Sequence, residues 1–185
     1  QKHKEAGFPE GWPSRFDTWY KLCKEFGFVY YEMDKKIEIS SSGHMLCDAY
    51  LENTDNSGEK IQKIFLNALS KYQTNNPFRR NANINAPIPL LLNVLKLLHS
   101  DPKSAGIHRK ELPFLTCWKN SNHEELYNFI MSFRNKYGFK ASDEIVYEEC
   151  LKLLESNNRK RFKMTQIIKE GVDDLIRKLR ITGVF

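Results

Sequence analysis

Apolar residues return along this chain every three or four positions in some stretches and every second position in others. The first run of the helical kind is Phe16, Trp19, Tyr20, Cys23 and Phe26, which defines one buried helix face. Arg15, Thr18, Lys21 and Lys24 lie off that face. Pro13-Ser14-x-x-Asp17 supplies a capping hydroxyl and a first-turn carboxylate, and Gly27 supplies a left-handed stop. Phe28–Glu32 and Ile37–Ile39 then follow a two-residue period, with Met33-Asp34-Lys35-Lys36 as the turn of a β-hairpin. Ser40-Ser41-Ser42-Gly43 leads into a short helix from His44 to Tyr50. The order helix, hairpin, helix resembles the end of a winged-helix domain, where a recognition helix is followed by a wing.

Further on, Glu52–Gly58 reads as a polar loop. An amphipathic helix follows over Glu59–Gln73, with Ile61, Ile64, Phe65, Ala68, Leu69 and Tyr72 on one side. Thr74–Pro87, rich in Asn and carrying Arg79-Arg80, is a long connection and a candidate boundary. Pro89–Leu98 is almost wholly apolar and reads as a central buried helix. His108–Trp118 predicts a second short helix that Pro113 keeps from being straight. Leu126, Phe129, Ile130, Phe133 and Tyr137 align on a helix over Ser121–Tyr137, with Gly138 as its stop. Ser142 caps the next helix, Asp143–Glu155. Arg159–Lys163 is a basic turn, and a last helix runs from Thr165 to Arg180. A glycine followed closely by an aromatic residue recurs at Gly27-Phe28, Gly138-Phe139 and Gly183-Val184-Phe185. The expectation is a mainly α fold with small β-hairpins as wings, in tandem winged-helix-like modules. Residues 1–78 would form the DNA-recognition module, 79–140 a second helical, helix-turn-helix module, and 141–185 a third, truncated one.

Charge narrows the class of partner. The chain has 29 Lys and Arg against 23 Asp and Glu, for a net charge of +6, which favours an anionic partner. Nucleic acid and a membrane surface both qualify. The longest apolar stretch, Ile88–Leu98, is interrupted by Pro89, Asn93 and Lys96, so no segment is expected to span a bilayer. The four cysteines, Cys23, Cys47, Cys117 and Cys150, have no zinc-binding spacing. Their apolar helical settings predict buried free thiols, as in a reducing, cytoplasmic protein.

A nuclease gathers carboxylates around a divalent metal, but Pro-Asp occurs only reversed, as Asp101-Pro102. Glu32-Met33-Asp34-Lys35 lacks an upstream acidic partner, and Glu148 and Glu149 read as a solvated helix face. His44, His99, His108 and His123 are scattered, and no glycine-rich phosphate loop is present. The residues therefore point to binding, with no metal or cofactor expected in this chain.

Arg spans guanine with two bonds, and Lys holds phosphates. Arg15 opens the helix that feeds the hairpin, where a recognition helix places its readers. Thr18, Lys21 and Lys24 share its face, and Lys35 and Lys36 sit in the hairpin turn. Arg79 and Arg80 suit phosphate contact from their loop. His108, Arg109 and Lys110 gain the anion-attracting start of a helix, and Arg159, Lys160, Arg161 and Lys163 form the basic turn. An ordinary solvated face accounts equally well for Arg15, Lys21, Lys24 and the turn at 159–163.

The segments Phe8-Pro9-Glu10-Gly11-Trp12 and Ser14-Arg15-Phe16-Asp17-Thr18-Trp19-Tyr20 resemble the AlwI family of restriction endonucleases and related nicking enzymes. The similarity continues through Gly27–Tyr31, Ile37–Ser40 and Ser42–Leu46. It resumes at Phe65–Gln73, Pro89–Leu98, Phe129–Asn135 and Arg180–Phe185. The resemblance implies a winged-helix recognition region paired with a C-terminal, magnesium-dependent nuclease domain. It also implies a short asymmetric site in double-stranded DNA with cutting a few bases downstream, and ranks Arg15 first among base contacts. This chain, which starts at Gln1, would then be a trimmed piece, the recognition region of a type IIS enzyme without its nuclease, acting as a monomer. A free-standing winged-helix transcriptional regulator and a module that binds an acidic protein are the alternatives.

Overall fold

The computed structural model describes residues 20–30, 35–74, 84–100, 104 and 106–184, which are mainly helical. The chain divides into two compact units, Gln1–Leu69 with Asn76–Arg79, and Ser70–Asn75 with Arg80–Phe185.

In the first unit a helix through residues 20–25 ends as its glycine dictates. Gly27 takes φ +71°. Its N–H donates to Lys24 O at 2.9 Å and the Phe28 N–H to Cys23 O at 2.9 Å, the crossed pair of a Schellman stop. Strand β1 (Val29–Tyr30) follows at once and pairs antiparallel with β2 (Glu38–Ile39), Val29 opposite Ile39 and Tyr30 opposite Glu38. The hairpin expected from the period-two segments is thus present.

Helix α1 spans Ser41–Glu52 and begins earlier than the apolar pattern alone suggested. The cause is Ser40. Its Oγ accepts the Gly43 N–H at 3.0 Å as an N-cap and donates to Gly27 O at 2.7 Å. The Ser40 N–H also donates to Phe28 O at 3.0 Å. The helix start is therefore fastened to the stop of the preceding helix. A Cβ on Gly43 would lie 2.2 Å from Phe28 O, so only glycine permits this approach. Asn53, in left-handed backbone, ends α1, and α2 runs over Ser57–Ser70. The loop between them is shorter than the polar residues implied, because Ser57 starts α2 by accepting the Thr54 N–H at 2.8 Å. Phe65 from α2 meets Phe26 and Phe28 edge-on, at 5.8 and 5.3 Å between centroids. Phe26 and Phe28, with Ala49, Ile64 and Leu69, form the buried core of the unit, and Phe65 beside them is half-buried.

The second unit is built on α3 (Pro87–Ser100), α4 (Leu112–Cys117), α5 (His123–Tyr137), α6 (Asp143–Leu153) and α7 (Gly171–Arg180). Helix α3 buries Ile88, Leu90, Leu91, Val94 and Leu98 on one face, against α5, and leaves Leu92 exposed. The region around Pro113 splits as that residue requires, into a 3-10 turn, Arg109–Glu111, and α4 with the proline in its first turn. Phe114 of α4 is wholly buried and packs edge-on against Phe129 and Phe133. Helix α4 also packs against α6 and α7. A π-helical turn, Gln166–Glu170, precedes α7.

Gly138 (φ +65°) and Gly183 (φ +68°) share the positive φ of Gly27, although Gly138 pairs it with a ψ of −169°. After Gly138, however, a turn leads directly to α6, which Ser142 caps. The two-stranded hairpin after Gly27 makes up the sheet found among the described residues.

The expectation of four buried thiols is corrected at two positions. Cys117 and Cys150 are buried, Cys23 is partly exposed and Cys47 is exposed. Helix α1 turns Gly43 and Ala49 inward with Leu46 between them, and Cys47 follows Leu46 by about 100° of rotation, off that face. Cys117 and Cys150 are hydrogen-bonded to each other, which lowers the Cys117 thiol, while burial drives the Cys150 thiol well up.

Candidate nucleic-acid interface

The lysines of the first unit sit on consecutive elements. Lys21 is exposed and Lys24 partly so on the helix before Gly27, and Lys35 and Lys36 are exposed where the chain enters β2. The Ser40 fastening fixes this helix to the base of the hairpin. Arg15 and Thr18 lie outside the described residues, as do Arg79 and Arg80.

In the second unit three of the basic candidates, Arg109, Lys110 and Arg159, are drawn onto carboxylates. Arg109 donates to Asp173 at 2.6 Å, and this guanidinium holds the Asp173 carboxyl below its ordinary value. The Lys110 ammonium donates to Ala141 O at 2.6 Å and lies 3.5 Å from Asp143. Arg159 donates to Glu148 at 2.5 Å and lies over the Tyr147 ring. His108 is a capping group: its Nδ1 accepts the Lys110 N–H at 3.2 Å, and its ring rests on Phe139. Arg161 stacks on its neighbour Phe162. Lys160 and Lys163 are exposed and pair with no carboxylate among the described residues.

The basic turn is not loose. The Tyr147 hydroxyl donates to Phe162 O at 2.6 Å, and the Arg161 N–H donates to Asn158 Oδ1 at 3.0 Å. Helix α6 thereby touches both basic groups, Lys110 through Asp143 and Arg159 through Glu148. Five residues of helix separate these carboxylates by about 140° of rotation, so the two groups flank α6 rather than share one face.

One buried cluster escaped the sequence reading. The Arg134 side chain is 8% exposed and that of Glu111 3%, and Nε and Nη2 donate to the two carboxylate oxygens at 2.6 and 2.7 Å. Arg134 also donates to Gly106 O at 2.6 Å and to Ser104. Glu111 in turn accepts the His108 N–H at 2.7 Å. The segment carrying His108, Arg109 and Lys110 is therefore clamped from beneath. A local signal existed in Glu111 three residues after His108, the spacing of a capping box. Arg134 itself, 23 residues away from Glu111 in the chain, gave none.

Among the described residues no group of three His, Cys, Asp or Glu is placed to hold a metal ion. No helix among the described residues is long and apolar enough to cross a membrane. Comparison with known proteins adds one match: the family model for AlwI restriction endonuclease matches residues 24–185. No curated protein and no solved structure matches this chain.

Proposed function

Because this chain belongs to the AlwI restriction endonuclease family, we propose that it is the part of such an enzyme that reads double-stranded DNA. The family implies DNA as the partner. The observation that carries the finer reading is the helix that passes through Gly27 into a fastened hairpin, with Lys21 and Lys24 on the helix and Lys35 and Lys36 on the ribbon. In a winged helix the recognition helix enters the major groove and the wing steadies the backbone. On this reading Arg15 and Thr18, six and three positions before Lys21 in the chain, contact base edges, and the lysines hold phosphates. Lys160 and Lys163 supply a second phosphate contact. The site read is short and asymmetric, the chain acts as a monomer, and cleavage belongs to a magnesium-dependent nuclease domain outside this chain.

The test is selection of bound duplexes from a randomised pool at two salt concentrations, read by sequencing. A short asymmetric enriched site is the expected result. An enriched palindrome would favour a dimeric regulator instead, since such proteins mirror their operators. Binding indifferent to salt would remove DNA altogether, because neutralising phosphates releases counterions.

A further inference from the structure

We propose that the second unit carries its own competitor for DNA: Asp143, Glu148 and Asp173 occupy the cations that would otherwise grip phosphate. This rests on the DNA reading above and adds how the grip is regulated. The cations lie on connecting segments, Lys110 and Arg109 on the 3-10 turn and Arg159 on the basic turn, whereas their carboxylates stand on helices α6 and α7. A carboxylate presents acceptor oxygens to a guanidinium much as a phosphate does, so the pairs imitate the contact they displace.

Exposure separates these pairs from a structural one. Each member of the Arg109–Asp173, Lys110–Asp143 and Arg159–Glu148 pairs keeps a third or more of its side chain in solvent. Exposed pairs are weak and readily exchanged. The Arg134–Glu111 pair, nearly sealed, is not exchangeable and only holds the segment in place. Lys160 and Lys163 stand ready without a carboxylate partner among the described residues. DNA would meet these two first, and Arg109 and Arg159 would change partner as the backbone approaches. The effect is to hold down affinity for any duplex, leaving the choice of site to base contacts elsewhere.

The experiment compares the whole chain with Asp173→Asn and Glu148→Gln on a short duplex of arbitrary sequence, across a salt series. Each variant should bind about three- to tenfold more tightly at low salt, with the log–log salt slope steeper by up to about 0.9 for the one cation released. Adding Arg109→Ala to Asp173→Asn should cancel that gain. Glu124→Gln makes the same change in net charge at a carboxylate with no basic partner among the described residues, and should gain little. Thermal melts of all variants check folding. If the wild type binds with salt dependence and the two variants do not gain, the competitor is overturned and the DNA reading stands. An equal gain from Glu124→Gln overturns it too, in favour of a net-charge effect. If neither wild type nor variants bind, both readings fall.

Discussion

At the scale of single residues, Arg134 and Glu111 are the most consequential pair. Two charges withdrawn from water are tolerable here because the guanidinium has four acceptors, the two carboxylate oxygens, Gly106 O and Ser104. Removing one partner leaves the other buried and uncompensated, which typically costs about 3–5 kcal/mol. Arg134→Met should therefore lower unfolding stability by about that amount in urea melts. Gly43 is the second such residue. A methyl group there collides with backbone rather than with a flexible side chain, so Gly43→Ala should cost about 1–3 kcal/mol and disturb the hairpin signals in NMR spectra. Asp173 supplies a pH dependence. Its folded carboxyl lies below the ordinary value because Arg109 donates to it. Its contribution is present above the unfolded value and is lost as pH falls through the lower, folded one. The stability gap between wild type and Asp173→Asn should be present at neutral pH and close only in strong acid.

At the scale of elements, caps and stops decided what could be read from the sequence. Gly27, Gly138 and Ser142 act as their residue types require, and the helices over 123–137 and 143–153 follow from them with small shifts at the ends. What stayed hidden depends on partners distant in the chain. Ser40 looked like a loop residue, and its bonds to Gly27 and Phe28 set the true start of α1. The connection after Thr74 was open in sequence, yet Thr74 and Asn85 exchange backbone and hydroxyl bonds, and the buried Asn85 amide donates to Trp118 O at 2.6 Å. The basic candidates were legible as residues but not as an arrangement, since nothing local announces that Asp173 meets Arg109 across 64 positions. Lys160→Ala should weaken DNA binding evenly across sequences and flatten the salt slope by up to about 0.9, as measured by titration of labelled duplexes.

At the scale of the whole molecule, the proposed reading divides the work of recognition by chemistry. The first unit offers a helix and ribbon with lysines on both, suited to register and reading. The second offers a cationic turn braced by Tyr147 and bounded by carboxylates. Arg15→Ala should lower specific affinity by roughly 1–3 kcal/mol and relax one base position, whereas changes in the second unit should move all sequences together. Selections repeated with the two kinds of variant would separate these effects, and a uniform loss from Arg15→Ala would make that residue a phosphate anchor.

The fastening at the base of the hairpin has a practical meaning of its own. Gly27, Phe28, Ser40 and Gly43 join both ends of the intervening segment through backbone and hydroxyl bonds. A loop closed at its root can be exchanged at its tip without unsettling what holds it, much as an antibody framework carries interchangeable loops. Lys35, Lys36 and Ile37, exposed just ahead of β2, are thus natural positions for grafting, where charge can be rewritten to test the proposed DNA contact while the scaffold keeps its form.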